Sequence, residues 1–365
     1  MKKLLNSILI ALFLLLSASF TFSQGKTKNV ILITLDGARN QEIFGGLDLE
    51  ILKSVNKNAE KSDTYKRFWA ENPIQRREKL MPFFWQTLMK NHGSIAGNRS
   101  LKSLVETTNK MFFSYPGYSE ILTGQAHDDV INSNDFGQNP FPSFLDFLQA
   151  KMKLNFNQVA DFSSWDVMNR IATSKPNSFL INAGYEEYKS ANKEIALLSK
   201  TQFETLSPWG TVRHDYYTTK LALAQMKSYH PRVLHIGLGE TDDWAHNKNY
   251  ARVLDALSLT DNFIKEIWDF VQSDPQYRNS TTIILTTDHG RGSTTKDWQN
   301  HGEDVPEAKY IWMAFISPEV DLRGEWQNTE TIYQNQVAAT LCRFLKFDYS
   351  EQNPNAGKPI KRLFK

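Results

Sequence analysis

The chain has 365 residues, with 42 lysines and arginines against 40 aspartates and glutamates, and 41% of it is apolar. So even a charge balance excludes a protein that binds a nucleic-acid duplex through a strongly basic face, while the length and apolar share suffice for one large α/β core. A single cysteine, Cys342, rules out an intrachain disulfide and sits in the apolar helical pattern QVAATLCRFL as a core residue.

The first 23 residues read as a secretory signal peptide. Lys2 and Lys3 precede an apolar run from Leu4 to about Leu16, and Thr21 and Ser23 are the small residues before a cut after Ser23. The run is short for a bilayer span, so cleavage leaves no stable membrane span, and an uncleaved anchor is the rival reading. Export without disulfides fits the periplasm or exterior of a bacterium. Residues 24–365 then form a single domain.

NVILITL, Asn29 to Leu35, is a buried strand ending in Asp36 and Gly37. Residues 41–105 turn polar and aromatic, with helical spacing in LEILKSVNKNAEK and REKLMPFFWQTLMK and a Gly/Asn-rich turn in HGSIAGNRS. They read as a helical insertion packed over one edge of the sheet. In MFFSYPGYSEILTG, apolar residues lead to Ser114, Pro116 and Gly117 break a strand, and helical spacing resumes. The Ser114 hydroxyl would lie at a strand-to-helix turn facing backbone N–H groups, which suits an oxygen nucleophile and also a simple helix cap.

Alternation continues with a helix near Ser143 to Lys153, a strand near Asn157 to Asp161, a helix over Ser164 to Ala172, the strand NSFLINAG and a helix over Thr211 to Ser228. That order predicts a doubly wound, mostly parallel sheet. RVLHIGLGETDDWAH is a further strand emptying into acids; Asp242 and His246, four apart, can face one ion, whereas Asp243 points away as a capping or supporting acid. TTIILTTDHGR delivers Asp288 and His289 at its carboxyl end, where open α/β sheets place their ligands. A polar loop carries His301, KYIWMAFIS is another buried strand, and a helix near Thr329 to Phe347 closes the chain.

Each piece alone has an ordinary structural explanation, but together they describe a two-metal hydrolase. Asp36, Asp288 and His289 form one ligand set with Ser114 beside it, and Asp242, His246 and His301 form the other. Mixed oxygen and imidazole ligation suits two divalent ions, best Zn²⁺, with Mn²⁺ or another first-row ion as alternatives.

These motifs, LITLDG, SYPGYSEILTG, GETDDWAH, TTDHG and NHG, resemble in their order the alkaline phosphatase superfamily, in particular its type I phosphodiesterase/nucleotide pyrophosphatase and exported phosphatase branches. The resemblance implies a three-layer α/β sandwich, Ser114 as the nucleophile that becomes phosphorylated, and a small-molecule phosphate ester as substrate. Ser114-Tyr115-Pro116-Gly117-Tyr118 lacks the arginine of the sulfatase motif, and Gly117 stands where many nucleotide phosphodiesterases carry asparagine. Asn134, of the pair Asn134-Asp135, is expected to donate to a phosphoryl oxygen as in the monoesterases of the superfamily. Arg39 and Arg291, beside ligand positions, are expected to contact substrate or to form salt bridges. The alternatives are a sulfuric ester hydrolase and a secreted binding protein that keeps the fold without turnover.

Overall fold

A computed structural model describes residues 26–364, so the signal-peptide reading lies outside the described residues. Among the described residues, ten strands are present in chain order: β1 (Asn29–Leu35), β2 (Gly93–Ala96), β3 (Val105–Glu106), β4 (Val159–Ser163), β5 (Leu180–Ala183), β6 (Val233–Leu238), β7 (Thr281–Thr286), β8 (Met313–Ile316), β9 (Gly324–Glu325) and β10 (Ile332–Tyr333). Eight form one sheet in the order β5-β4-β6-β1-β7-β8-β2-β9, and β3 pairs with β10 apart from it. All neighbours in the large sheet run parallel except at β8, which is antiparallel to both β7 and β2.

Side chains of the central strands alternate between two cores, which makes the fold a three-layer sandwich. Ile31, Ile33 and Leu35 of β1 join one core with Ile283 and Leu285 of β7, while Val30, Leu32 and Ile284 join the other. The long helix Tyr250–Ser273 and the helix Asp215–Tyr229 cover the first face; the helices Ser114–Thr123, Phe144–Met152 and Val337–Phe344 cover the second.

Most of residues 41–105 pack on the first face. The helices Leu49–Val55, Asp63–Phe68 and Pro73–Leu80 and the π-helical turn Phe84–Met89 bury Ile51, Leu52, Phe68, Leu80, Phe84 and Leu88 there. The stretch is not wholly helical: Gly93–Ala96, read from sequence as a turn, is β2, a fully buried strand between β8 and β9. Four residues with two turn formers carry too weak a period to announce a strand; its partners decide it. The terminal helix is likewise shorter than the sequence suggests, because Ile332–Tyr333 pairs with β3 before Val337–Phe344 begins.

Candidate metal centre and nucleophile

The carboxyl ends of β1, β6 and β7 lie side by side, with Thr34 of β1 in register with Gly237 of β6 and Thr286 of β7. The residues that follow these three strands therefore leave the sheet at one place. Asp36 donates its N–H to Leu238 O at 2.8 Å, and the chain then turns through Gly37 at φ +55°. A Cβ on Gly37 would stand 2.7 Å from Asp242 Oδ1 and 2.8 Å from Arg291 Nε, so both the turn and its neighbours require glycine. Gly37 N–H donates to Asp288 Oδ1 at 3.0 Å, which ties the first and third strand ends together.

Ser114 arrives from the opposite layer. Its helix begins at Ser114 itself, after an extended Phe113 and a left-handed Phe112 at φ +52°, and follows a loop rather than the expected strand. Pro116 lies inside the first turn, where proline is tolerated because an N–H there has no intrahelical partner, and Gly117 N–H donates to Phe113 O at 3.1 Å. Gly117 packs directly on β7's end, since a Cβ there would sit 2.4 Å from Asp288 O. The Ser114 hydroxyl is buried, donates to Asp36 Oδ1 at 3.4 Å and lies 3.3 Å from His289 Nε2.

Both expected ligand sets come together. In each, Asp36–Asp288–His289 and Asp242–His246–His301, one ligand atom per residue lies within 4.8 Å of the others. His289 Nδ1 donates to Gly290 O at 2.8 Å, which turns Nε2 toward Asp36 and Asp288, each 3.4 Å away. His301 Nδ1 donates to Phe112 O at 3.0 Å, and its Nε2 faces His246 Nε2 at 3.0 Å and Asp242 Oδ1 at 3.8 Å. His246 Nε2 is 3.1 Å from Asp242 Oδ2.

Carboxylate oxygens and imidazole nitrogens thus converge at these strand ends. Asp288 Oδ2 is buried with no hydrogen-bond partner among the described residues. Burial, then Asp36, pushes the Asp288 carboxyl well above the usual carboxylate range. Burial also works against a protonated His289, but Asp288 and Asp36 outweigh it and raise that imidazole. His301 is held far below its ordinary value by burial, then by His289, Arg291 and His246. Carboxylates and imidazole lone pairs crowded in this way fit divalent cations, whose charge would satisfy all of them at once.

The chain matches the model of the Metalloenzyme superfamily over residues 168–349, a segment that contains Asp242, His246, Asp288, His289 and His301. The likeness to that superfamily spans just under half of the chain. Among solved structures, alkaline phosphatase PafA matches at TM-score 0.59 and 11% identity, over 93% of this chain and 99% of that one. The lipoteichoic acid synthase LtaP from Listeria monocytogenes matches at 0.57 and 10%, over 90% and 74%. A protein in the alkaline phosphatase superfamily from Vibrio parahaemolyticus matches at 0.56 and 12%, over 94% and 71%. The fold is alkaline phosphatase-like. No curated protein matches the chain in sequence.

The remaining expected residues divide. Asn134 is beside the nucleophile: its Oδ1 accepts the Tyr115 N–H at 2.8 Å, at the first turn of the Ser114 helix. Arg39 and Arg291 are instead enclosed, 3% and 1% exposed, and take the salt-bridge alternative. Arg39 donates to Glu42 at 2.8 and 2.5 Å and to Gly292 O at 2.8 Å. Arg291 bonds Asp242 Oδ1, Asp242 O, Gly37 O and Gln299 O. Both guanidinium groups donate to protein acceptors.

Asp243 does not cap its helix. That work falls to Asp215, which accepts from Gly239 N–H at 2.7 Å and Glu240 N–H at 3.2 Å. Burial, then Asp36, Asp215 and Glu240, pushes the Asp243 carboxyl up to about 8. Two supporting residues escaped the sequence reading. Glu120, fully buried, accepts the N–H groups of Thr108 and Asn109 and so anchors the loop before Ser114. Gln334 donates to Thr287 O and Asp288 O at 3.0 and 2.6 Å and fixes the backbone between the ligands. A lone glutamate inside the apolar YSEILTG was the available signal for Glu120; nothing local marks Gln334.

Proposed function

We propose that this metal-dependent hydrolase fold cleaves phosphate esters of small molecules through a phosphoseryl intermediate on Ser114. The observation that carries the reading is the Ser114 hydroxyl lying within 3.4 Å of Asp36 Oδ1 and 3.3 Å of His289 Nε2, with the second set next to it. Asp36, Asp288 and His289 would hold one divalent cation and Asp242, His246 and His301 the other, with zinc the best match to the donor types. When bound, such a pair supplies positive charge that lowers the pKa of a hydroxyl or water and stabilises the oxygens of an in-line displacement.

The chain's own part is positioning. Ser114 Oγ forms a bond to phosphorus while the ester P–O bond breaks and the alcohol leaves with a proton; water then cleaves the Ser114–phosphorus bond, releasing phosphate and restoring the hydroxyl. Gly37 and Gln334 hold Asp288, and Glu120 holds the loop from which Ser114 projects. Asn134 Oδ1 is engaged by Tyr115 N–H, which leaves the amide NH₂ of Asn134 to donate to a phosphoryl oxygen beside Ser114. We read residues 24–365 as one catalytic unit, because the ligand sets draw on positions from 36 to 301. The leader supports a periplasmic or secreted location, and sequencing the mature amino terminus tests it.

One plate decides the class. Zinc-loaded protein is assayed on p-nitrophenyl phosphate, bis(p-nitrophenyl) phosphate and p-nitrophenyl sulfate, beside Ser114→Ala and a chelated sample. Turnover of a phosphate ester, lost by at least about a thousandfold in Ser114→Ala, is expected. Selective sulfate cleavage assigns a sulfuric ester hydrolase, and zinc binding with no turnover assigns a binding protein.

A further inference from the structure

Arg291 is buried beside one ligand set and touches two parts of it. Its Nη2 bonds Asp242 Oδ1 and, at 3.2 Å, Asp242 O; its Nη1 donates to Gln299 O at 2.5 Å, and its Nε to Gly37 O at 3.3 Å. Gln299 lies two residues before His301. The loop between them is braced again where Gly292 N–H donates to Asn300 O at 3.0 Å and Arg39 Nη1 to Gly292 O at 2.8 Å. One guanidinium therefore grips a carboxylate ligand and the backbone that delivers a histidine ligand, from elements 49 residues apart in the case of Asp242.

We infer that Arg291 is the positioning residue of the Asp242–His246–His301 set. It bonds Oδ1 of Asp242, the oxygen 3.8 Å from His301 Nε2, while Oδ2 lies 3.1 Å from His246 Nε2, so the guanidinium fixes the orientation of the carboxylate that both histidines face. The other set is fixed by different bonds: Asp288 by Gly37 N–H at 3.0 Å, and His289 by Gly290 O at 2.8 Å. The inference rests on the metal-cage reading above and adds that the two ions depend unequally on one arginine. A lysine cannot substitute, because a single ammonium does not span acceptors on Asp242, Gln299 and Gly37 as a planar fork does.

The test is zinc binding to chelator-stripped protein, measured by competition with a chromophoric chelator, for wild type, Arg291→Met and Arg291→Lys. Wild type is expected to bind two ions. Both variants should keep one at wild-type affinity and hold the second about 10- to 100-fold more weakly. Loss of a buried positive charge alone would tighten a neighbouring dication, so weakening reports lost geometry. Two ions bound as in wild type in the variants, or both weakened alike, overturns the inference while leaving the cage reading intact. A wild type that binds no zinc overturns both. Thermal melts of the stripped proteins accompany the titration; if Arg291→Met does not fold, Arg291→Lys decides, and failure of both makes the role purely structural and overturns the inference.

Discussion

Gly117→Ala adds one methyl group at the closest approach between the nucleophile's helix and β7. The new Cβ would stand 2.4 Å from Asp288 O, 2.9 Å from Asp288 C and 3.2 Å from Asp288 Cβ, all on a segment fixed by Gln334 and by the sheet. Ordinary contact needs about 3.5 Å, so the helix must withdraw by about 1 Å. Overpacking of this kind costs about 1–3 kcal/mol of stability. Ser114 heads the same turn and would move with it, away from Asp36 and His289. A misplacement of about 1 Å at a reacting atom costs about a hundredfold in rate, or about 2.7 kcal/mol of transition-state stabilisation. The assay is kcat/KM on p-nitrophenyl phosphate with zinc saturating, beside a thermal melt. Gly45→Ala, where a Cβ would meet nothing within 4 Å, serves as the control and should match wild type. Full activity in Gly117→Ala, whatever its melting temperature, would refute the claim that this contact sets the nucleophile's position.

Asn134→Ala removes the acceptor of Tyr115 N–H and the donor beside Ser114. A fall of about tenfold or more in kcat/KM for a phosphate ester is expected; an unchanged value removes Asn134 from the site. His127, stacked on Phe141 at 3.5 Å, has its pKa pushed down to about 4 by burial. The unfolded imidazole titrates near about 6.5, so between these values the unfolded chain binds a proton that the folded chain does not. Stability therefore falls as pH drops through about 6.5 toward 4. Urea midpoints of zinc-free protein at pH 7.5 and 5.0 should separate more in wild type than in His127→Phe, and parallel shifts would contradict the assignment. Zinc at about a thousand times its dissociation constant should add about 4 kcal/mol to the stability of wild type; a melting temperature insensitive to zinc would deny the cage.

The convergence of these side chains was legible because parallel strands announce themselves. NVILITL, VLHIGL and TTIILT are apolar runs that stop abruptly at acids, and the sheet has only one place for their ends to meet. Spacing placed Asp242 and His246 on one helical face, and the structure puts them 3.1 Å apart. The arginines were not legible to the same depth. Arg39 and Arg291 adjoin ligands in sequence, but adjacency does not say which acceptors a guanidinium will find; Glu42 lies one turn away from Arg39, whereas Asp242 reaches Arg291 only through the fold. Short strands were also beyond local reading. β2 exists because β8 offers an edge, and β9 because β2 then offers the next one, a nonlocal cause that four or two residues cannot encode. The loop from Thr107 to Phe113 owes its shape to Glu120, which lies after it in sequence.

The arrangement is costly to the chain by itself, and that cost explains how the site is built. Burying Asp36, Asp288 and His289 with their lone pairs facing one another carries desolvation that hydrogen bonds only partly offset. The structure meets it with rigid backbone: Gly37 N–H, Gln334 and the packing of Gly117 each fix Asp288 from a different direction. The second set is less enclosed, with His246 exposed and Asp242 half-buried, and it relies on a side chain, Arg291, for what backbone does in the first. A buried set locked by backbone favours one fixed geometry around the nucleophile. A more open set braced by an arginine leaves a side accessible to solvent, where the proposed reaction would pass its leaving alcohol and incoming water. On the proposed reaction, the difference in construction between the two halves follows the difference in what each would do.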